Sequence, residues 1–291
     1  MSGLGWKRHK RHLESVTLLM PRRLNVEIKH AIACIGDLHF GSIYAPMQEF
    51  RTFDGRRIFP SKEQKKLNKI FDNCLKWIDY WNCDKVLFSG DLVQGSNFKE
   101  RGKDLVTANL DEQRDMCIEY LYCLKDRHLP IYAISGTNYH KSQDTEIEEQ
   151  IVKKLGGYFC DKMAWFTFKD SKRIINLAHA SVKSRIYPVS ACEREAEQMI
   201  KSYGAGDLPH KPDIIVRGHQ HIYLHIDRIT YHFIMVPSFQ TWYPFHTDYY
   251  GATQPNIGIV ILFIDERDVV HVHHYTGDIR KIRIGDKTYE I

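Results

Sequence analysis

Read for the spacing of its apolar positions, the chain alternates short buried runs with amphipathic stretches. Ala31 to Gly36 is a compact apolar run closed by a glycine, as expected of a buried strand. Ser61 and Gln64 form a capping box, and behind it Leu67, Ile70, Phe71, Cys74, Ile78 and Trp81 recur at helical spacing. Val86 to Phe88 predicts a second strand, Asp111 to Lys125 a helix, and Ile131 to Ile134, entered through Pro130, a third strand. Thr145 and Glu148 open a further helix that stops at Gly156, Ile174 to Ala178 makes a fourth strand, Ser190 and Glu193 cap another helix, and Ile214 to Val216 is a fifth strand. Alternation of this kind predicts an α/β domain. From Tyr223 onward strand follows strand, with hairpins expected near Asp227-Arg228, Asp265 to Asp268 and Gly285-Asp286, which suggests a second sheet or mixed additions to the first.

Composition narrows the class without naming a function. The 291 residues are 43% hydrophobic and 26% charged, enough to bury a sizeable core and unlike a disordered, collagen-like or coiled-coil chain. No repeat or linker divides them, so the reading is a basic arm over residues 1–15 followed by a single domain over 16–291. Apolar runs such as Ile257 to Ile264 are too short to span a bilayer, and the basic, broken N-terminus is not a secretory signal; a cytoplasmic protein is expected. Seven cysteines without a C-x-x-C pair read as buried thiols rather than a disulfide framework. A net charge of +5 leans toward a phosphate-bearing partner, though part of it sits in the tail around Lys7 to His12. Sixteen histidines are the anomaly, since imidazole serves metal ligation or proton transfer.

The chemistry collects just beyond the strands. Strand one runs into Gly36-Asp37-Leu38-His39, strand two into Ser89-Gly90-Asp91, strand three into Gly136-Thr137-Asn138-Tyr139-His140, strand four into His179, and strand five into Gly218-His219-Gln220-His221. In α/β sheets ligands bind beyond the carboxyl ends of strands, so these segments should converge. Each alone has a bland alternative: a turn aspartate, a strand-end histidine, an exposed alternating pair. Their common placement points to a shared metal centre.

This ordered set resembles the calcineurin-like metallophosphoesterase superfamily, over about Ala31 to His221. Gly136 to His140 with the following Glu-rich helix, and Pro212 to His219, look most like its phage or prophage-type members. The resemblance implies a two-sheet αββα sandwich. It makes Asp37, His39 and His221 ligands of one metal, Asp91 the bridge, and His179 and His219 ligands of the other, with hydrolysis by in-line attack of a metal-held hydroxide on phosphorus. A donor set of imidazole and carboxylate without thiolate suits two divalent ions drawn from manganese, iron, zinc or cobalt, with manganese favoured.

Two departures from the family pattern stand out. Where relatives read G-N-H, this chain has G-T-N-Y-H; Asn138 is taken as a ligand of the second metal, Thr137 competes for that place, and His140 is the candidate general acid. Gln94 replaces an acid found in many relatives three residues after the bridge. Arg217 could reach a phosphate or, ending a buried strand, snorkel to solvent. Phe239, Trp242, Tyr243, Phe245, Tyr249 and Tyr250 could stack bases or pack under a sheet, and His271, His273 and His274 read as structural, lacking acidic neighbours at ligand spacing.

The functional expectation is a metal-dependent phosphoesterase, phosphodiesterase or nuclease, acting on a phosphate ester such as DNA or RNA without a membrane partner. The alternative is a nucleic-acid-binding protein with a structural or vestigial metal centre. The sequence leaves the substrate and the oligomeric state open.

Overall fold

Along β1 (Ile28–Ile35) successive side chains go to opposite faces: Ala31, Ala33 and Ile35 join one cluster of buried residues, and Ile32 and Cys34 another. A strand apolar on both faces must be covered on both, and β1 is. The computed structural model describes residues 24–96, 101–137, 147–180, 187–241 and 255–277. The basic arm, Asn138, His140, Thr145, the aromatic residues from Trp242 to Tyr250 and the Gly285-Asp286 hairpin lie outside them.

On one face of β1 pack three helices. In α1 (Lys62–Tyr80) the Ser61 side chain accepts from the Gln64 backbone N–H and the Gln64 side chain accepts from that of Ser61, so the capping box is in place; Leu67, Phe71 and Cys74 turn inward. Trp77 belongs to the same buried face, although the sequence reading passed over it. α2 (Leu110–Lys125) and α3 (Ile147–Leu155) add Cys117, Leu121, Ile151 and Val152 to this layer. The sheet they cover is ordered β13-β12-β1-β4-β5-β6, with β4 (Lys85–Phe88), β5 (Ile131–Ala133) and β6 (Tyr158–Phe159) parallel to β1. β12 (Ile257–Asp265) is antiparallel to β1 and buried at all nine positions, and β13 (Val270–Gly277) completes the edge.

The other face of β1 meets a second sheet, ordered β10-β11-β9-β8-β7. Here β8 (Ile175–Ala178), β9 (Ile214–Arg217) and β11 (Tyr231–Met235) run parallel, flanked by antiparallel β7 (Met163–Phe166) and β10 (Leu224–Arg228). Ile32, Leu87, Val260 and Leu262 of the first sheet interleave with Ile175, Leu177, Val216 and Ile234 of the second. The outer face of the second sheet packs Ile215, Phe233 and Met235 against Cys192, Ala196 and Met199 of α4 (Pro188–Gly204). The layers therefore run helices, sheet, sheet, helix, the αββα sandwich anticipated.

Two local expectations are corrected. α4 begins before Ser190: Pro188 occupies its first turn, where the missing N–H costs nothing, and the N-cap residue Tyr187 makes no side-chain capping bond. The late strands do not form a sheet of their own, since β10 and β11 extend one sheet and β12 and β13 the other. The stretch from Ile43 to Pro60 carries a two-stranded hairpin, β2 (Phe50–Arg51) and β3 (Arg57–Ile58). Among the described residues no helix is long and apolar enough to cross a membrane.

Candidate metal centre

Because β1 and β4 are parallel neighbours, the loops that leave them stay paired beyond the sheet. The Asp37 N–H donates to the Gly90 carbonyl at 3.1 Å, that of His39 to the Asp91 carbonyl at 3.0 Å, and that of Phe40 to the Leu92 carbonyl at 2.9 Å. In the second sheet the Gly218 N–H donates to the His179 carbonyl at 3.1 Å, keeping the ends of β8 and β9 together. The His219 N–H then crosses between the sheets to the Asp37 carboxylate, 2.9 and 3.1 Å from its two oxygens.

Six candidate residues meet at this rim in two groups. Asp37, His39 and His221 form one; Asp91, His179 and His219 form the other; within each, one ligand atom per residue lies within 4.8 Å of the rest. In the first group His39 Nε2 and His221 Nε2 are 3.1 Å apart, and Asp37 Oδ1 is 3.3 Å from His221 Nε2. In the second, His179 Nε2 is 2.9 Å from Asp91 Oδ2. The groups adjoin through Asp37, whose Oδ1 lies 4.0 Å from His179 Nε2. Each group takes donors from both sheets.

Close packing at the rim needs glycine. A Cβ on Gly136 would stand 1.9 Å from Asp91 Oδ1, and one on Gly218 would stand 2.7 Å from Asp37 Oδ2. The backbone is also bent. Asp37, His39, Asp91, His219 and His221 have φ of 50°, 49°, 51°, 74° and 57°, so five of the six candidates occupy the left-handed region. Such a conformation costs roughly 1–3 kcal/mol at a non-glycine residue and concentrates where a site over-determines the chain.

The donor set fits a divalent cation. His179 Nδ1 lies 2.6 Å from the Ser89 carbonyl oxygen, which can only accept; the proton is thereby fixed on Nδ1, and Nε2 faces Asp91. Burial alone would lower the His179 pKa, but the carboxylates of Asp91 and Asp37 hold it up at about 10, so the pocket favours positive charge beside those oxygens. Carboxylate oxygens and imidazole nitrogens, without thiolate, match manganese, iron, zinc or cobalt.

Other anticipated residues fall differently. Thr137 is brought in as a partner of Asp91: its N–H donates to Oδ1 at 2.7 Å and its hydroxyl is 3.3 Å from both carboxylate oxygens. Asn138 and His140 follow it, outside the described residues. Gln94 is buried, and its side-chain oxygen accepts from Gln240 Nε2 at 2.8 Å, forming a buried amide pair. Arg217 is turned away from the rim. Alternation along β9 puts it with Ile215 on the α4 face, 1% exposed, where its Nε donates to Glu195 Oε1 at 2.7 Å and its Nη1 to the Val216 and Asn176 carbonyls. It supports α4 and is not placed to hold a phosphate. Phe239 is a core residue, edge-on to Phe71 at 5.2 Å. His271 does have an acidic neighbour, Asp265 Oδ2 at 3.0 Å across the β12–β13 hairpin.

One residue had no sequence signal beyond its place in a helix's first turn. Glu148, buried at the start of α3, accepts the Leu92 N–H at 3.2 Å and the Gly136 N–H at 2.9 Å, tying the loop that carries Asp91 to the loop that carries Thr137. Burial first, and then the nearby Asp91, push its pKa up to about 7.

No family model matches the chain, and no curated protein matches it. Solved structures similar to it include an archaeal phosphodiesterase, 14% identical over 84% of this chain and 99% of that one, with a TM-score of 0.43. Vps29 from Entamoeba histolytica, complexed with zinc, is 13% identical over 84% and 98% with a TM-score of 0.37. A predicted phosphoesterase from Streptococcus pneumoniae is 10% identical over 85% and 98% with a TM-score of 0.36.

Proposed function

We propose that the chain is a metal-dependent phosphoesterase that cleaves phosphodiesters. The observation that carries this reading is the pair of adjoining triads of buried donor atoms, each within 4.8 Å, at one rim of the sandwich. Asp37, His39 and His221 would hold one divalent ion; Asp91, His179 and His219, with Asn138, would hold the second, and Asp91 would be shared. When bound, such ions would supply Lewis acidity toward a phosphate oxygen and would acidify a bound water.

The chain's own residues do the rest. The Ser89 carbonyl keeps the His179 proton on Nδ1, Thr137 and the His219 N–H orient the two carboxylates, and Glu148 fixes the spacing of the Asp91 and Thr137 loops. His140, three residues beyond Thr137 in the sequence, is the proposed donor of a proton to the leaving oxygen.

The test is turnover of bis-p-nitrophenyl phosphate and p-nitrophenyl phosphate with manganese, by the parent and by Asp91→Asn. Faster hydrolysis of the diester, abolished in the variant, is expected; no hydrolysis of either ester, or a variant as active as the parent, defeats the assignment. His140→Ala should lower kcat by about 10²–10⁴ on an alkyl diester and much less on a p-nitrophenyl ester, at unchanged metal content. Uniform loss on both esters with loss of metal would make His140 a ligand instead.

A further inference from the structure

The chain between His39 and α1 departs from the rim, makes the β2–β3 hairpin and returns to the same rim. The return is dictated by topology: α1 links β1 to the parallel β4, so its N-terminal end lies on the side where both strands finish. Hydrogen bonds to the helices hold this excursion to the body. Gln64 Nε2 donates to the Ser42 and Ala45 carbonyls, Asn68 exchanges hydrogen bonds with the Met47 backbone, and the Phe53 N–H donates to Glu112 Oε1 at 2.7 Å.

What this anchored excursion shows to solvent is unusual. Phe53 and Phe59 are each 61% exposed, whereas the other phenylalanines among the described residues are buried or half-buried. Arg51, Arg56 and Arg57 are exposed around them, with the Arg57 guanidinium carbon 5.6 Å from the Phe59 ring centroid. Lys62, Lys65, Lys66 and Lys69 continue the exposed basic surface along α1. Residues 49–69 hold seven cations against Glu49, Asp54 and Glu63, a net +4, where the whole chain carries +5. The ion pairs Arg56–Asp54 and Arg57–Glu49 are exposed on both sides, a type of pair worth little that a phosphate can displace.

We infer that the β2–β3 hairpin and the first half of α1 form a docking surface for single-stranded nucleic acid. The lysines and arginines follow the phosphates and the two phenylalanines stack on unpaired bases, whose faces a duplex would keep covered. This deepens the phosphoesterase reading by naming the substrate class for the same rim.

The test is fluorescence anisotropy of a labelled 20-nucleotide oligo(dT), and of a duplex of equal length, titrated with the full chain in chelator at 50–200 mM salt. No hydrolysis is read, so the outcome stands apart from the fate of the phosphoesterase assignment. Single strand should bind more tightly than duplex. Phe53→Ser with Phe59→Ser should weaken single-strand binding at least tenfold, and Lys62→Gln, Lys65→Gln and Lys66→Gln together should lower the slope of log K against log salt by about 2. Circular dichroism and melting confirm that both variants fold, as exposed substitutions should allow. The inference is overturned if the parent does not bind oligo(dT) at 50 mM salt, if both variants bind like the parent, or if duplex binds as tightly as single strand. Displacement by polyglutamate as effective as by unlabelled oligo(dT) would overturn it in favour of an acidic protein partner.

Discussion

His39 Nε2 and His221 Nε2 stand 3.1 Å apart although 182 residues separate them in the chain. Two imidazole nitrogens on one ion, with bonds of about 2.0–2.1 Å and angles between octahedral and tetrahedral, would be about 2.8–3.4 Å apart. The pair already has the spacing of neighbouring ligands, and Asp37 Oδ1 stands at ligand spacing from His221 Nε2, 3.3 Å, and farther from His39 Nε2, 3.9 Å.

Removing one corner of that triangle should empty one position and spare the other. His221→Ala is expected to bring manganese content after loading and desalting from about two ions per chain to about one, with diester turnover lost. Elemental analysis of the desalted protein checks this, and an unchanged content would place the His39 group outside metal binding.

Glu148 should matter to stability as well as to the rim. Glu148→Ala leaves the Leu92 and Gly136 N–H groups buried without their acceptor, at about 1–3 kcal/mol for each. Melting by calorimetry should fall by about 5–15 °C in a domain of this size. Glu148→Gln keeps one acceptor and should lie between the variant and the parent; equal melting of all three would show that the two bonds contribute nothing.

Arg217 gives a contrast between stability and substrate binding. Arg217→Ala strands Glu195 in a largely buried position, a loss of about 3–5 kcal/mol for a broken buried pair. Arg217→Met combined with Glu195→Gln removes both charges and should recover much of that stability. The double variant should keep the parent's KM for bis-p-nitrophenyl phosphate, whereas a rise of tenfold or more would return Arg217 to a phosphate-binding role.

The edge where β10 and β11 approach β13 predicts acid sensitivity. His225 Nε2 and His232 Nδ1 are 3.3 Å apart, His274 stacks on Tyr223 at 3.9 Å, and the pKa values of His225, His232 and His274 are lowered, first by burial and, in each, also by a neighbouring histidine. Asp227 opposes this shift at both His225 and His232; at His232 Asp213 also opposes it, while Arg173 and His271 add to it. A folded pKa below the unfolded value of about 6.5 means that the unfolded chain binds more protons, so stability is present above pH 6.5 and declines as pH falls below it. Between pH 7.5 and 5.5 the melting temperature of His225→Asn should fall less, or rise more, than that of the parent, and equal pH profiles of the two would show that this cluster carries no penalty.

The parts of the site that the sequence disclosed are those set by local geometry. A strand followed at once by Asp or His must present that side chain at the sheet's carboxyl rim, and Asp37, Asp91, His179 and His219 are found there. Arg217 shows the limit of reading proximity along the chain: it is two residues from His219, but strand alternation sends it to the α4 face beside Ile215. Glu148 was hidden for another reason, since its partners lie 56 and 12 residues away and only the packing of α3 on β5 makes them neighbours. The division of the late strands between two sheets was equally out of reach, because hydrophobic alternation marks a strand without selecting its partner.

Each donor triad reaches across the interior of the sandwich, with Asp37 and His39 on one wall and His221 on the other, and Asp91 facing His179 and His219 in the same way. An ion gripped there would act as a rivet between two layers that the His219 N–H on Asp37 and the His179 pair with Asp91 already join along that line. It can bind only when the walls are together, so at about 100 times its dissociation constant it adds about 2.7 kcal/mol to their adhesion. Metal loading and cohesion of the rim would then be one equilibrium, and removing the metal would loosen the two sheets there as well as remove the proposed chemistry.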